Sequence, residues 1–202
     1  GVGKMFLPNI DSSSIDDMLA LSGQYPNNCF PMMGLHPTSV EDDYEVELTL
    51  VKNWLDKGNF CAVGEIGIDL YWDKTFQEQQ EDAFRIQVRW AKERKLPIAI
   101  HTRNSFNEVL KIIKEENTSD LRGVFHCFSG NVDQAREVIQ MGFFLGIGGV
   151  LTFKNGGLDK VIPEIGLGHL ILETDSPFLA PAPYRGKRNE SAYIRIIAQR
   201  LA

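Results

Sequence analysis

Seven times along the chain a short apolar run gives way to a stretch with helical spacing, and this alternation constrains the fold more than any other feature. Strand, helix and strand in succession imply a parallel sheet with right-handed crossovers. The apolar runs fall at residues 5–10, 29–35, 60–66, 96–101, 123–126, 143–149 and 170–174. Between them, apolar residues recur at helical intervals. Ile15, Met18 and Leu19 follow Ser12-Ser13-Ser14, and Leu50, Val51, Trp54 and Leu55 run up to Gly58. Phe84, Val88 and Ala91 mark a third helix, and Phe106, Val109, Leu110 and Ile113 a fourth behind the N-cap candidates Asn104-Ser105. Val132, Ala135 and Ile139 follow Asn131, and Asn189 can cap a last helix through Tyr193, Ile197 and Leu201. Eight strands would close a barrel, whereas an open sheet would leave apolar edges unpaired. The expected architecture is α/β, a TIM-type (β/α)8 barrel with its first strand and helix absent from this chain, in a single domain over residues 1–202.

How the strands end is the second constraint. Val63-Gly64-Glu65-Ile66-Gly67-Ile68-Asp69 is an apolar run that sets a carboxylate between two glycines. The fourth and fifth runs close on His101 and His126, and the seventh leads to Asp175 before Ser176-Pro177. A parallel barrel gathers its functional groups at the carboxyl ends of its strands, so Glu65, His101, His126 and Asp175 are candidate metal ligands. Imidazole and carboxylate donors together suit Zn, Mn, Co or Ni, whereas Mg usually prefers oxygen alone. A carboxylate can bridge two cations, which makes Glu65 the natural shared ligand of ions about 3.5–4 Å apart.

Other polar residues carry two readings each. His36, at the end of the second run, either contacts substrate or satisfies a loop carbonyl. Glu173 shares a strand face with Asp175 and either orients a ligating histidine or makes an internal salt bridge. His169 precedes its strand and is expected to be structural. Cys127 follows His126, and strand alternation would turn it toward the helices in a packing role. Gly146-Ile147-Gly148-Gly149 lacks the third glycine of a dinucleotide loop and fits close strand packing better. Gly3-Lys4 lacks the remainder of a phosphate loop. Arg103, Arg185, Lys187 and Arg188 follow strands and could hold phosphates, although each alone reads as a solvated charge.

Composition sets outer limits. A 202-residue chain that is 43% hydrophobic and 24% charged can bury a full core. Its net charge of -6 argues against a broad basic face wrapping nucleic acid but permits a local basic mouth. The sequence lacks an apolar run of the roughly 20 residues that span a bilayer. It does not open on a secretory pattern either. Three cysteines, an odd number, fit reduced thiols, so a cytoplasmic location without membrane partners is expected.

Six segments together resemble one family: Gly34-Leu35-His36-Pro37, Gly64-Glu65-Ile66-Gly67-Ile68-Asp69, Ile100-His101-Thr102-Arg103, His126-Cys127-Phe128-Ser129-Gly130, Glu173-Thr174-Asp175-Ser176-Pro177 and Arg185-Gly186-Lys187-Arg188-Asn189-Glu190. In this order the chain resembles the TatD-like metal-dependent deoxyribonucleases of the amidohydrolase superfamily. The resemblance implies two divalent metal ions, Mg, Mn or Zn, bridged by Glu65. His101 and His126 would complete one site and Asp175 would belong to the other, together with an H-x-H from a first strand that this sequence does not contain. It further implies catalytic roles for Glu65 and Asp175, the latter also accepting a proton from water. His36, Arg103 and Arg185 would contact substrate, which would be DNA, single-stranded or at duplex ends, trimmed 3′ to 5′. Ser191 departs from the proline usual in the family at that place. Two rival readings stay open: a hydrolase of a cyclic amide or lactone, and a silent binding protein lacking one metal site.

Overall fold

A computed structural model describes residues 2–202, and Gly1 lies outside them. Two compact units are formed, Gly3–Gly123 and Val124–Ala202, the second also taking in Val2.

The first unit centres on β3 (Val63–Asp69), all seven of whose residues are buried. A strand covered on both faces shows a continuous rather than alternating apolar pattern, which Val63, Ile66 and Ile68 supply. It pairs in parallel with β4 (Ile98–Arg103), setting Gly67 beside His101 and Asp69 beside Arg103. β1 (Met5–Pro8) pairs in parallel with β2 (Cys29–Met32), and Met33 bridges to Val63. Asp69 and Arg103 thus belong to strands, where the expected boundaries at Ile66 and His101 would have left them in loops.

Helices connect these strands. α1 (Ile15–Gln24) is preceded by a 3-10 turn, Ser12–Ser14, capped by Asp11 and not by a serine. α2 (Tyr44–Lys57) ends at Gly58 as expected, but it buries Leu48, Val51 and Leu55. Leu50 and Trp54, expected inside, are 41% and 38% exposed because they lie on the flank of that stripe. α3 (Gln77–Arg94) buries Ala83, Phe84, Val88 and Ala91, and with them Gln80 and Gln87. These amides serve backbone groups at the end of β3 and in the loop after β2. Gln80 Oε1 accepts from Asp69 N at 2.8 Å, and Gln87 pairs with both N–H and C=O of Leu35 at 2.7 and 3.2 Å.

α4 (Phe106–Glu116) buries Val109, Leu110, Ile112 and Ile113. Ser105 precedes it without capping it. Its hydroxyl donates to Ile68 O at 2.5 Å and accepts from Arg103 N at 3.2 Å, fastening the ends of β3 and β4 together. At the far end of α4, Glu116 accepts from Arg89 Nε and Lys92 Nζ, each at 2.9 Å. Lys92 also donates to the Glu116 carbonyl, an otherwise unpaired helix-end group.

The second unit carries a parallel set in which β5 (Gly123–Phe125) pairs with β6 (Phe144–Ile147) and β6 with β7 (Leu170–Leu172). α5 (Val132–Gln140) begins with a capping box between Asn131 and Gln134 and buries Ala135 and Val138; Val132 and Ile139, expected inside, are half-buried. α6 (Leu158–Ile165) joins β6 to β7, and α7 (Ile194–Leu201) follows a 3-10 turn at Ser191–Tyr193. Asn189 does not cap that helix: it is buried, and its side-chain amide donates to Thr174 O and Phe178 O at 2.5 and 2.6 Å.

Burial would raise the Glu116 carboxyl, but its hydrogen bonds to Arg89 and Lys92 and their charges outweigh this and hold it below the ordinary value of 4.5. A depressed carboxyl contributes stability above its unfolded pKa and loses it as pH falls through the folded value. Glu116→Gln is therefore expected to cost about 1–3 kcal/mol at pH 7. In denaturant titrations the gap from wild type should close once pH drops below the folded value. A pH-independent difference would show that the charge is not what Glu116 contributes.

Candidate metal centre

Among the described residues two groups of donor side chains occur, one in each unit. In the first, β3 delivers Glu65 and Asp69 and β4 delivers His101, with His36 at the head of a 3-10 turn, Pro37–Ser39. Glu65 and Asp69 are only 7% and 3% exposed, so neither carboxylate can rely on water. His101 lies between them, with Nδ1 2.8 Å from Glu65 Oε1 and Nε2 2.9 Å from Asp69 Oδ2. Gly67 permits this approach. Its φ is 148°, and a Cβ there would overlap the His101 backbone carbonyl.

The electrostatics follow from that sandwich. Burial alone would lower the His101 pKa, but the hydrogen bonds and charges of Asp69 and Glu65 outweigh it and raise the value. Burial would raise the Asp69 carboxyl, while the His101 hydrogen bond, the Tyr71 N–H and the charges of His101 and Arg103 bring it below its usual range. A neutral imidazole has one N–H and cannot donate to two carboxylates. The site therefore calls for positive charge, either a second proton on His101 or a cation between Nδ1 and Glu65. With Nε2–H held by Asp69, the Nδ1 lone pair is presented to a cation, the arrangement by which a carboxylate orients a histidine ligand.

His36 Nε2 lies 3.3 Å from His101 Nδ1 and 3.5 Å from Glu65 Oε1. Its Nδ1 accepts the Thr38 backbone N–H at 3.2 Å and sits 2.7 Å from the Thr38 hydroxyl. The partner is thus a backbone N–H, where a loop carbonyl was one of the two expectations. A ring that accepts at Nδ1 carries its neutral-state proton on Nε2. Proximity alone groups His36 with Glu65 and His101 as a possible ligand. The tautomer makes it a donor aimed at the same spot.

In the second unit His126 Nδ1 lies 2.9 Å from Glu173 Oε2 and Nε2 3.2 Å from Asp175 Oδ1. The other Glu173 oxygen accepts the Cys127 N–H at 2.7 Å. Of its two readings, Glu173 therefore matches the one that orients a histidine: it takes the Nδ1 side and leaves Nε2 toward Asp175. β5 ends at Phe125, and the chain turns at Cys127 with φ 47°. Strand alternation consequently no longer applies at Cys127, and its Sγ joins His126 and Glu173 in one potential donor group instead of facing the helices. Asp175 is also left-handed, at φ 58°. Asn189 fixes that turn through Thr174 O and Phe178 O, and its own N–H donates to Pro177 O at 2.9 Å.

Arg103 and Arg185 are exposed and lie over aromatic rings, Arg103 3.9 Å from the Tyr71 centroid and Arg185 4.2 Å from that of Phe153. His169 is exposed, its carbonyl accepting from Leu145 N at 2.9 Å. Asp69 and Asn189 had no functional assignment from sequence. Asp69 was visible as the alternate-residue partner of Glu65 and Gly67, whereas nothing local distinguishes Asn189 from a helix cap. Among the described residues no helix is long and apolar enough to cross a membrane.

Outside His36 the two groups offer four carboxylates, two imidazoles and the Cys127 thiol, donors that suit divalent cations of intermediate softness. Comparison with known proteins agrees. The family model for TatD related DNase matches residues 1–202. The chain is 38% identical to the uncharacterized metal-dependent hydrolase YabD of Bacillus subtilis, over all of this chain and 79% of that protein. It is 28% identical to the 3'-5' ssDNA/RNA exonuclease TatD of Erwinia tasmaniensis, over all of this chain and 80% of that one. The crystal structure of YjjV, a TatD homolog from Escherichia coli, superposes with a TM-score of 0.92 at 30% identity, covering this whole chain and 78% of the other. The fold class is therefore α/β, a partial (β/α)8 barrel. The chain belongs to the TatD related DNase family.

Proposed function

We propose that this TatD-family metal-dependent hydrolase is a phosphodiester hydrolase that trims nucleic acid, DNA foremost, from the 3′ end. The observation that carries the reading is His101 held between two buried carboxylates, a place that demands positive charge. The exonuclease named among its relatives supports the choice of substrate. Glu65 and His101 in the first unit, and His126 and Asp175 in the second, would supply ligands to two divalent ions, Mg, Mn or Zn, within a single catalytic domain. Bound divalent ions lower the pKa of water and neutralise charge developing on phosphoryl oxygens.

The side chains have distinct tasks in this reading. Asp69 accepts a hydrogen bond from His101 Nε2–H, which keeps that proton on Nε2 and leaves Nδ1 unprotonated beside Glu65. Glu173 does the equivalent for His126, holding its Nδ1 proton so that Nε2 faces Asp175. Asp175, fixed by the Asn189 clamp, accepts a proton from the attacking water. His36 directs Nε2–H at a phosphate oxygen, because Thr38 occupies its other nitrogen. Arg103 and Arg185 bring guanidinium groups to the phosphate backbone.

The test is metal content of the purified protein together with a ladder assay on 5′-labelled single-stranded DNA. Two ions and stepwise shortening from the 3′ end are expected. Glu65→Gln should abolish hydrolysis with circular dichroism unchanged, and near-wild-type turnover would remove Glu65 from the centre. Asp69→Asn should weaken metal binding about 10–100-fold, the usual cost of losing a carboxylate behind a ligating histidine. Calorimetric titration with Mn or Zn measures it, and an unaltered affinity would show that Asp69 does not orient His101.

A further inference from the structure

Beside the first donor group stands an aromatic pair that packing does not explain. Tyr71 and Trp72, just past the end of β3, are 50% and 75% exposed. Burying rings of this size is among the largest favourable contributions a side chain can make to folding, and the larger of the two largely forgoes it. Neither residue hangs loose. The rings meet edge to face with centroids 4.7 Å apart. Tyr71 N–H donates to Asp69 Oδ1 at 2.9 Å, and Leu70 N–H donates to Arg103 O at the same distance. The Arg103 guanidinium lies 3.9 Å from the Tyr71 centroid and 5.4 Å from that of Trp72. Asp69 accepts the Tyr71 backbone N–H with one oxygen and contacts His101 with the other, so the segment that carries the aromatic pair is tied to the donor group through one carboxylate.

We propose that Trp72, Tyr71 and Arg103 form a stacking platform for an unpaired nucleobase of single-stranded nucleic acid, next to the Glu65–His101 donors. The inference rests on the nuclease reading and names the part of the substrate this surface takes. Every base offers a π-face, so such a platform holds a strand without reading its sequence. The exposed indole provides the face, and Arg103 supplies both cation–π attraction and a positive charge for the adjoining phosphate. In a chain of net charge -6, this cation on an aromatic surface favours an anionic ligand with flat rings over an apolar protein segment. A base inside a duplex is already stacked on both faces, which restricts the platform to unpaired nucleotides.

Binding of a phosphorothioate oligothymidylate, resistant to cleavage, and of an abasic oligomer of equal length is measured by fluorescence anisotropy with the metal-loaded full chain. Wild type should prefer the base-bearing oligomer by roughly 5- to 150-fold, the range for one stacked base. Trp72→Ala should bring that preference close to one, and Trp72→Phe should restore most of it. Trp72 emission should be quenched by the oligothymidylate and not by inorganic phosphate. Unchanged preference in Trp72→Ala, equal weakening on both oligomers, or a wild type that does not discriminate would each overturn the platform. Hydrolysis of unmodified oligothymidylate by wild type is followed in parallel. Its absence would defeat the nuclease reading, whereas a hydrolysing wild type with an unaltered base preference in Trp72→Ala defeats the platform alone.

Discussion

The first unit depends on two carboxylates being carried into a strand with no exposed residue. Isolated charges in such a place are strongly disfavoured, so Glu65 and Asp69 persist only if positive charge and hydrogen bonds meet them there. His101 meets both, on a strand whose register is fixed by parallel pairing with β3. Gly67 gives up a side chain so that the neighbouring backbone can come close. Gln80 takes the Asp69 N–H, and the Ser105 hydroxyl ties the same strand end to β4. Removing the positive charge would take from both buried carboxylates the counter-charge that His101 supplies.

The second unit solves a similar problem with less burial. Its donors lie on turns beyond β5 and β7, where the chain adopts left-handed conformations at Cys127 and Asp175. Such conformations in residues with a Cβ persist when the surroundings over-determine them. Glu173 holds one turn by its side chain, and Asn189 holds the other from 14 residues further along. The positioning residues are consequently as polar as the donors themselves.

Much of this was legible in the sequence. The strand and helix alternation, the presence of Glu65 and His101 on the third and fourth strands, and the helix start at Asn131 are all written in local patterns, although both donors lie within their strands and not at the ends. What escaped are contacts that depend on tertiary approach. Ser105 and Asn189 have the composition of helix caps but spend their hydrogen bonds on distant carbonyls. Gln80 and Gln87 sit seven residues apart on the buried face of α3, where a sequence pattern assigns polar side chains to solvent. Cys127 was misplaced because alternation was extended two residues beyond where the strand stops. The tautomer of His36 follows from a single backbone N–H and has no sequence signal at all.

Two glycines, one in β6 and one just after it, bear on how such a centre is encoded. A Cβ on Gly146 would overlap Glu173 Oε2, the oxygen that holds His126, and one on Gly148 would lie 3.5 Å from Oε1. Position 146 is thus specified by empty volume beside a carboxylate. Alanine there would be unremarkable for strand propensity yet would displace the group that aims an imidazole. In a map of tolerated substitutions, Gly146 would then group with the donors rather than with the core, although it contributes no atom to the chemistry.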